Sequence, residues 1–176
     1  RWVLAGDDPA TLAITGQRLP EITSASGDAV VLAADPTATE LIVRDPADGV
    51  STLAGVDVVF PVLHGAYGED GTIQGMLEMA GVRYVGAGVL ASAVSMDKAY
   101  MKVVLQAAGL PVTPGVVVTR TAFEQDAVGV RARVEELGFP SFAKPARAGS
   151  SMGISKVHDA SEVDAALEEA FRHDPK

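Results

Sequence analysis

Cysteine is absent from this chain of 176 residues. That excludes disulfides and thiolate metal sites and fits a reducing compartment. Basic charge is also scarce. Fourteen Lys and Arg stand against 23 Asp and Glu, a net charge of −9, with no basic stripe. A general nucleic-acid binder is therefore excluded. A phosphate ligand is not, because phosphate sites are built from local donors rather than from net charge. Long apolar runs are missing too: residues 58–63 fall far short of the roughly 20 residues that a spanning helix needs, so no membrane partner is expected. No signal peptide, internal repeat or low-complexity segment is legible. The chain opens on Arg1-Trp2-Val3-Leu4, which reads as mid-strand, and ends just past a helix. Both ends are expected to lie inside a longer protein. Lysine is absent from the first 97 residues; all five lysines lie at or after Lys98.

What is present is globular: 48% of residues are apolar and 21% charged, enough for one domain or two small ones around a real core. Residues 1–55 show only short β-like runs, at 2–4, 30–33 and 41–43, between turn clusters. Residues 56–63 read as a buried strand. Ile73, Met76, Leu77 and Ala80 recur at helical spacing up to Gly81, and residues 82–85 form a short strand. This is strand, loop, helix, strand, with a right-handed βαβ unit as the expectation. Small residues fill 89–94. Asp97 can cap a helix whose face carries Met101, Val104, Leu105 and Ala108, closed by Gly109. The domain boundary is placed near Ser95, giving domains 1–94 and 95–176. Beyond it the pattern predicts a strand over 115–118 and a helix begun by a Thr121/Glu124 capping box, carrying Val128, Val134 and Leu137. A strand over 139–144, a glycine loop, a strand over 154–157 and a helix carrying Val163, Ala166, Leu167, Ala170 and Phe171 follow. The fold class is α/β.

Three motifs carry chemistry. The first to stand out is Lys144-Pro145-Ala146-Arg147-Ala148-Gly149-Ser150-Ser151-Met152-Gly153. Gly149 and Gly153 allow close backbone approach, Ser150 and Ser151 add hydroxyl donors, and Lys144 supplies a point charge for a phosphate. The lysine precedes the glycines, so this is not a Walker A loop. The second is His64-Gly65-Ala66-Tyr67-Gly68-Glu69-Asp70-Gly71, where His64 can donate or carry a proton near neutral pH. Its Glu69-Asp70 pair reads as helix capping rather than metal ligation. The third is Met96-Asp97-Lys98. A cation in the first turn of a helix opposes the macrodipole unless something negative lies nearby, and a phosphate would supply that. From spacing alone a solvated surface lysine is the favoured reading of Lys98. Arg147, His158 and His173 read as structural or surface groups.

Together, and with Gly86-Ala87-Gly88-Val89-Leu90-Ala91-Ser92-Ala93 between them, these motifs resemble the D-alanine–D-alanine ligases of the ATP-grasp superfamily over residues 56–171. The resemblance implies the end of an N-terminal Rossmann-like pre-ATP-grasp domain followed by the central ATP-grasp subdomain. It implies ATP and Mg²⁺ as cofactors. ATP phosphorylates the carboxylate of one D-alanine, and the amine of a second attacks the acyl phosphate. Lys98 and Lys144 would contact nucleotide phosphates, and the loop of Gly149, Ser150, Ser151 and Gly153 would cover them. Ser150 would also order the first D-alanine, and His64 would lie near the reacting carbonyl. The implied partners are D-alanine and a second copy of the chain, in the cytoplasm. D-lactate or D-serine as second substrate, or a non-catalytic nucleotide-binding domain, are the alternatives. The family's N-terminal glycine-rich segment and its C-terminal half, which carries the magnesium ligands, have no counterpart in these residues. The segment alone is therefore expected to be inactive. Position 148 is alanine where several members carry glutamate.

Overall fold

The computed structural model describes residues 2–4, 27–33, 35–38, 40–45 and 49–176, a mixed α/β arrangement. They divide into two compact units, one from residues up to Phe60 with Gly75–Val85, the other from Pro61–Gln74 with Gly86–Lys176. The turn clusters expected after residue 4 fall mostly outside the described residues.

The first unit holds an antiparallel sheet of β1 (Ala29–Leu32), β2 (Glu40–Asp45) and β3 (Gly49–Gly55), in that order. Ala29 faces Arg44 and Leu32 faces Leu41, and Val3 adds a bridge to Ala29. The runs expected at 30–33 and 41–43 are β1 and β2. β3 was not expected: its Gly-Val-Ser-Thr-Leu-Ala-Gly sequence has little strand preference, and pairing to β2 makes it a strand. The buried strand expected over 56–63 is overturned. Only Val59 pairs, in a parallel bridge to Tyr84, and Val58 and Phe60 are 55% and 70% exposed. Pro61 has no N–H to extend a ladder. The helix α1 (Thr72–Met79), within which the two units divide, is as expected. Gly81 ends it at φ +67°, its N–H donating to the Glu78 carbonyl while Val82 N–H donates to Leu77.

The second unit contains α2 (Val89–Met96), α3 (Lys98–Ala107), α4 (Arg120–Gln125), α5 (Ala127–Glu135), β4 (Ser141–Ala143), β5 (Ser155–Val157), a 3-10 turn at Ala160–Glu162 and α6 (Val163–Phe171). Asp97 caps α3, accepting from the N–H groups of Ala99 and Tyr100. No residue of α3 is buried, so its expected apolar face forms no core here. Residues 115–118 join no strand, although Val118 is buried. The single helix expected from Thr121 is two. Thr119 caps α4 by accepting from Ala122 N–H. Asp126 then ends α4 and caps α5 by accepting from Gly129 N–H, a short polar side chain competing with the helix for its backbone donors.

Two apolar clusters hold this unit. Val118, Phe123, Val130 and Phe171 form one; Val157, Val163 and Ala166 form the other; Leu167 packs against both. The Phe123 and Phe171 rings lie 6.1 Å apart, and the Arg120 guanidinium sits 4.9 Å over Phe171. On the solvent side Arg131 grips Asp164 of α6 with two bonds of 2.7 and 2.5 Å. Truncating Phe171 removes the residue the first cluster is built on. Phe171→Ala is expected to lower unfolding stability by about 3–5 kcal/mol. Val128→Ala, at a residue 73% exposed, should stay within about 0.5 kcal/mol. Urea denaturation of both variants checks the contrast.

Candidate functional site

β4 and β5 pair antiparallel, Ser141 facing Val157 and Ala143 facing Ser155, so residues 144–154 are the connection of a hairpin. Side chains alternate along a strand, which puts Phe142 and Lys144 on one face. The Lys144 ammonium lies 5.6 Å from the centre of the exposed Phe142 ring. Within the connection Met152 N–H donates to Gly149 O at 3.1 Å. Ser150, Ser151 and Gly153 have φ of +49°, +58° and +66°. For the serines this conformation costs on the order of 1 kcal/mol each, and such strain collects at ligand sites. At Gly153 a Cβ would lie 2.4 Å from the His173 ring and 2.9 Å from Pro145. The turn therefore admits only glycine.

A Cβ at Gly149 would lie 3.7 Å from Gly65 Cα and 3.7 Å from Glu69 Oε2. The loop after Lys144 and the loop after His64, 85 positions apart by Gly149 against His64, thus lie close to each other. His64 itself is exposed. The Glu69-Asp70 pair folds the loop around it. Glu69 accepts from Gly65 N–H at 2.5 Å, and Asp70 accepts from Tyr67 and Thr72 N–H at 2.8 and 3.0 Å. Burial would raise the Asp70 pKa, but those N–H donors outweigh it and hold the carboxyl below its ordinary value. Among the described residues no group of three or more His, Cys, Asp or Glu is placed to hold a metal ion.

The negative partner of Lys98 is backbone. Its ammonium donates to the carbonyls of Pro145, Ala146 and Ala148 at 3.0, 3.4 and 2.7 Å, and its own N–H donates to Ala146 O at 3.0 Å. Burial, then the charge of Lys144, lower its pKa. Lys98 and Lys144 therefore feel one another across the same loop.

Sequence reasoning missed what fixes that loop. Arg147, read as a surface charge, is clamped to Asp174, which is 4% exposed. Arg147 N–H and Nε donate to Asp174 Oδ2 at 2.7 and 3.0 Å, and Nη2 to Oδ1 at 2.8 Å. Lys176 N–H donates to the same carboxylate at 3.1 Å, its carbonyl accepts from Ala146 N–H at 2.8 Å, and its ammonium pairs with Asp97 while lying 4.7 Å over Tyr100. An arginine inside the motif was the one available signal. An open cleft of about 530 Å³ lies beside these groups, bounded by Asp70, Thr72, Met96, Asp97 and Arg147, and none of the expected site residues lines it.

For Asp174 and Asp97, burial would raise the pKa, but their bonds to Arg147 and Lys176 and to backbone N–H groups hold both below the ordinary value. A depressed carboxyl stabilises the fold above the unfolded pKa of about 3.9, and that stabilisation is lost as pH falls through the lower folded value. The denaturation midpoint should therefore fall as pH drops from about 5 to about 3. Asp174→Asn should start lower and fall less; an equal pH slope would contradict the assignment.

Residues 1–87 match the family model described as D-ala D-ala ligase N-terminus, and residues 104–176 the one described as D-ala D-ala ligase C-terminus. The chain is 56% identical over its whole length to the D-alanine–D-alanine ligase of Pseudarthrobacter chlorophenolicus, covering 46% of it, and 51% identical to that of Streptomyces griseus, covering 47%. It spans about half the length of these curated relatives. Among solved structures, the VanG D-Ala:D-Ser ligase of Enterococcus faecalis matches with a TM-score of 0.69 and 38% identity, over 86% of this chain and 42% of that one. The D-alanyl-alanine synthetase A of Vibrio cholerae matches with a TM-score of 0.69 and 32% identity, over 86% and 43%.

Proposed function

Because the chain belongs to the D-Ala–D-Ala ligase family, we propose that it is part of an ATP-dependent ligase that joins two D-alanines through a D-alanyl phosphate. The dipeptide would serve peptidoglycan precursor synthesis in the cytoplasm. The observation that carries the reading is the proximity of Gly149 to Gly65 and Glu69, each 3.7 Å from where a Gly149 Cβ would stand, where the loop after His64 approaches the loop after Lys144.

Each residue has a role in the proposal. Lys144 and Lys98 hold nucleotide phosphates by charge. Gly149 and Gly153 let the backbone approach, and Ser150 and Ser151 donate from a turn already bent for it. Ser150 also orders the first D-alanine, and His64, exposed one residue before Gly65, serves the reacting carbonyl. ATP supplies the phosphoryl group. The protein's share is positioning and stabilising negative charge, which is most of what phosphoryl and acyl transfer demand. Magnesium is implied by the family, and the described residues offer it no cluster. The boundary between Val94 and Ser95 stays part of the proposal; it falls in the gap between the two family models.

The test is phosphate release by the full-length protein with ATP and Mg²⁺, with and without D-alanine. Release that needs D-alanine and yields dipeptide is expected; ATP binding without it would leave only a nucleotide-binding domain. D-Serine or D-lactate competing successfully against D-alanine would move the second substrate. Lys144→Ala should raise the ATP KM and lower kcat, and His64→Gln should impair ligation while sparing ATP binding. The proposal includes a homodimer, supported by Leu90 of α2, an apolar side chain 78% exposed. Sedimentation of the full-length protein should give twice the monomer mass.

A further inference from the structure

Lys98 is committed before any nucleotide arrives. Its ammonium sits on three carbonyls of residues 145–148 at 2.7–3.4 Å, and its N–H on one of the same three. Carbonyls converge on one cation only if the backbone carrying them is held, since each could otherwise turn to water. Two groups do the holding. Asp174 takes the Arg147 N–H and two bonds from its guanidinium, and Lys176 O takes the Ala146 N–H. The circuit closes at α3, where Asp97 caps the helix that begins at Lys98 and pairs with the Lys176 ammonium.

The Asp174 carboxylate is 4% exposed, and the Arg147 side chain it binds is 54% exposed. A buried carboxylate is costly unless fully matched. This one is matched by the half-exposed Arg147 guanidinium and by the backbone N–H groups of Arg147 and Lys176. A surface arginine with no other purpose would be fixed more cheaply by an exposed acid.

Resting on the ligase reading above, we propose that Asp174 is a positioning residue for nucleotide binding: through Arg147 it fixes the carbonyls of residues 145–148 that hold the Lys98 ammonium against the loop after Lys144. The Lys176–Asp97 pair fixes the other side of Lys98 by holding the first turn of α3.

The experiment uses the full-length protein, with MgATP binding by calorimetry, steady-state kinetics, and amide hydrogen exchange without nucleotide. Asp174→Asn should weaken ATP binding and raise the ATP KM by about tenfold or more, the scale of a displaced positioning group, while the D-alanine KM rises by less. Exchange at the Lys98 and Ala146 amides should quicken. Combined with Lys98→Met, the loss should be no greater than for Lys98→Met alone, because both act through one ammonium. Arg147→Met, at an exposed side chain, should repeat the pattern if Asp174→Asn folds poorly. Unchanged ATP affinity in both variants, losses that multiply with Lys98→Met, or equal rises in both KM values would overturn the proposal. Failure of the unmodified protein to bind MgATP would instead overturn the ligase reading, and the hydrogen exchange would still decide for or against the brace.

Discussion

A buried carboxylate that must be neutralised by its surroundings sets the geometry of the second unit. Asp174 sits just past the end of α6, with almost no exposure, and accepts four hydrogen bonds. Three come from Arg147 and one from Lys176, so a single charge fixes two backbone segments at once. Charge-assisted bonds of this kind are stronger and more directional than neutral ones. They define a loop that has no ladder of its own between β4 and β5.

Apolar packing and polar bracing divide the work. The clusters around Phe171 and Val163 position α6 against α4, α5 and the hairpin, and Leu167 ties the clusters together. Those contacts are non-directional and leave the loop after Lys144 free to adopt several shapes. The polar circuit of Asp174, Arg147, Lys176, Asp97 and Lys98 selects one shape. Within it two serines hold a backbone conformation they would not choose alone, and Gly153 fits where any side chain would strike His173.

What the sequence made legible follows from range. α1, α3 and α6 were readable because their boundaries are local: Gly81 and Gly109 in the left-handed region, Asp97 as a cap, apolar residues at helical spacing. The start of α4 was misplaced by two residues, and the break at Asp126 was missed, because Thr119, Thr121 and Asp126 can all cap and tertiary packing chooses among them. Residues 56–63 misled because an apolar run states a preference for burial but not which neighbours will supply it; a single bridge at Val59 is what formed. The candidate site residues stand out in the sequence as types in a motif. Their arrangement does not, since Lys98 meets Ala148 and Arg147 meets Asp174 across long stretches of chain that no local pattern encodes.

Those separations govern when the site can exist. Lys98 and Ala148 are 50 positions apart, and Asp97 and Lys176 are 79 apart. Closing such loops costs entropy before any contact repays it, and folds rich in distant contacts form slowly. The hairpin and the helices can form from neighbouring residues. The lysine-bearing loop takes its final shape only when residue 176 has met residue 97. The loop after Lys144 therefore cannot reach its final shape before residues 174 and 176 have been made, although the elements beside it form from neighbouring residues.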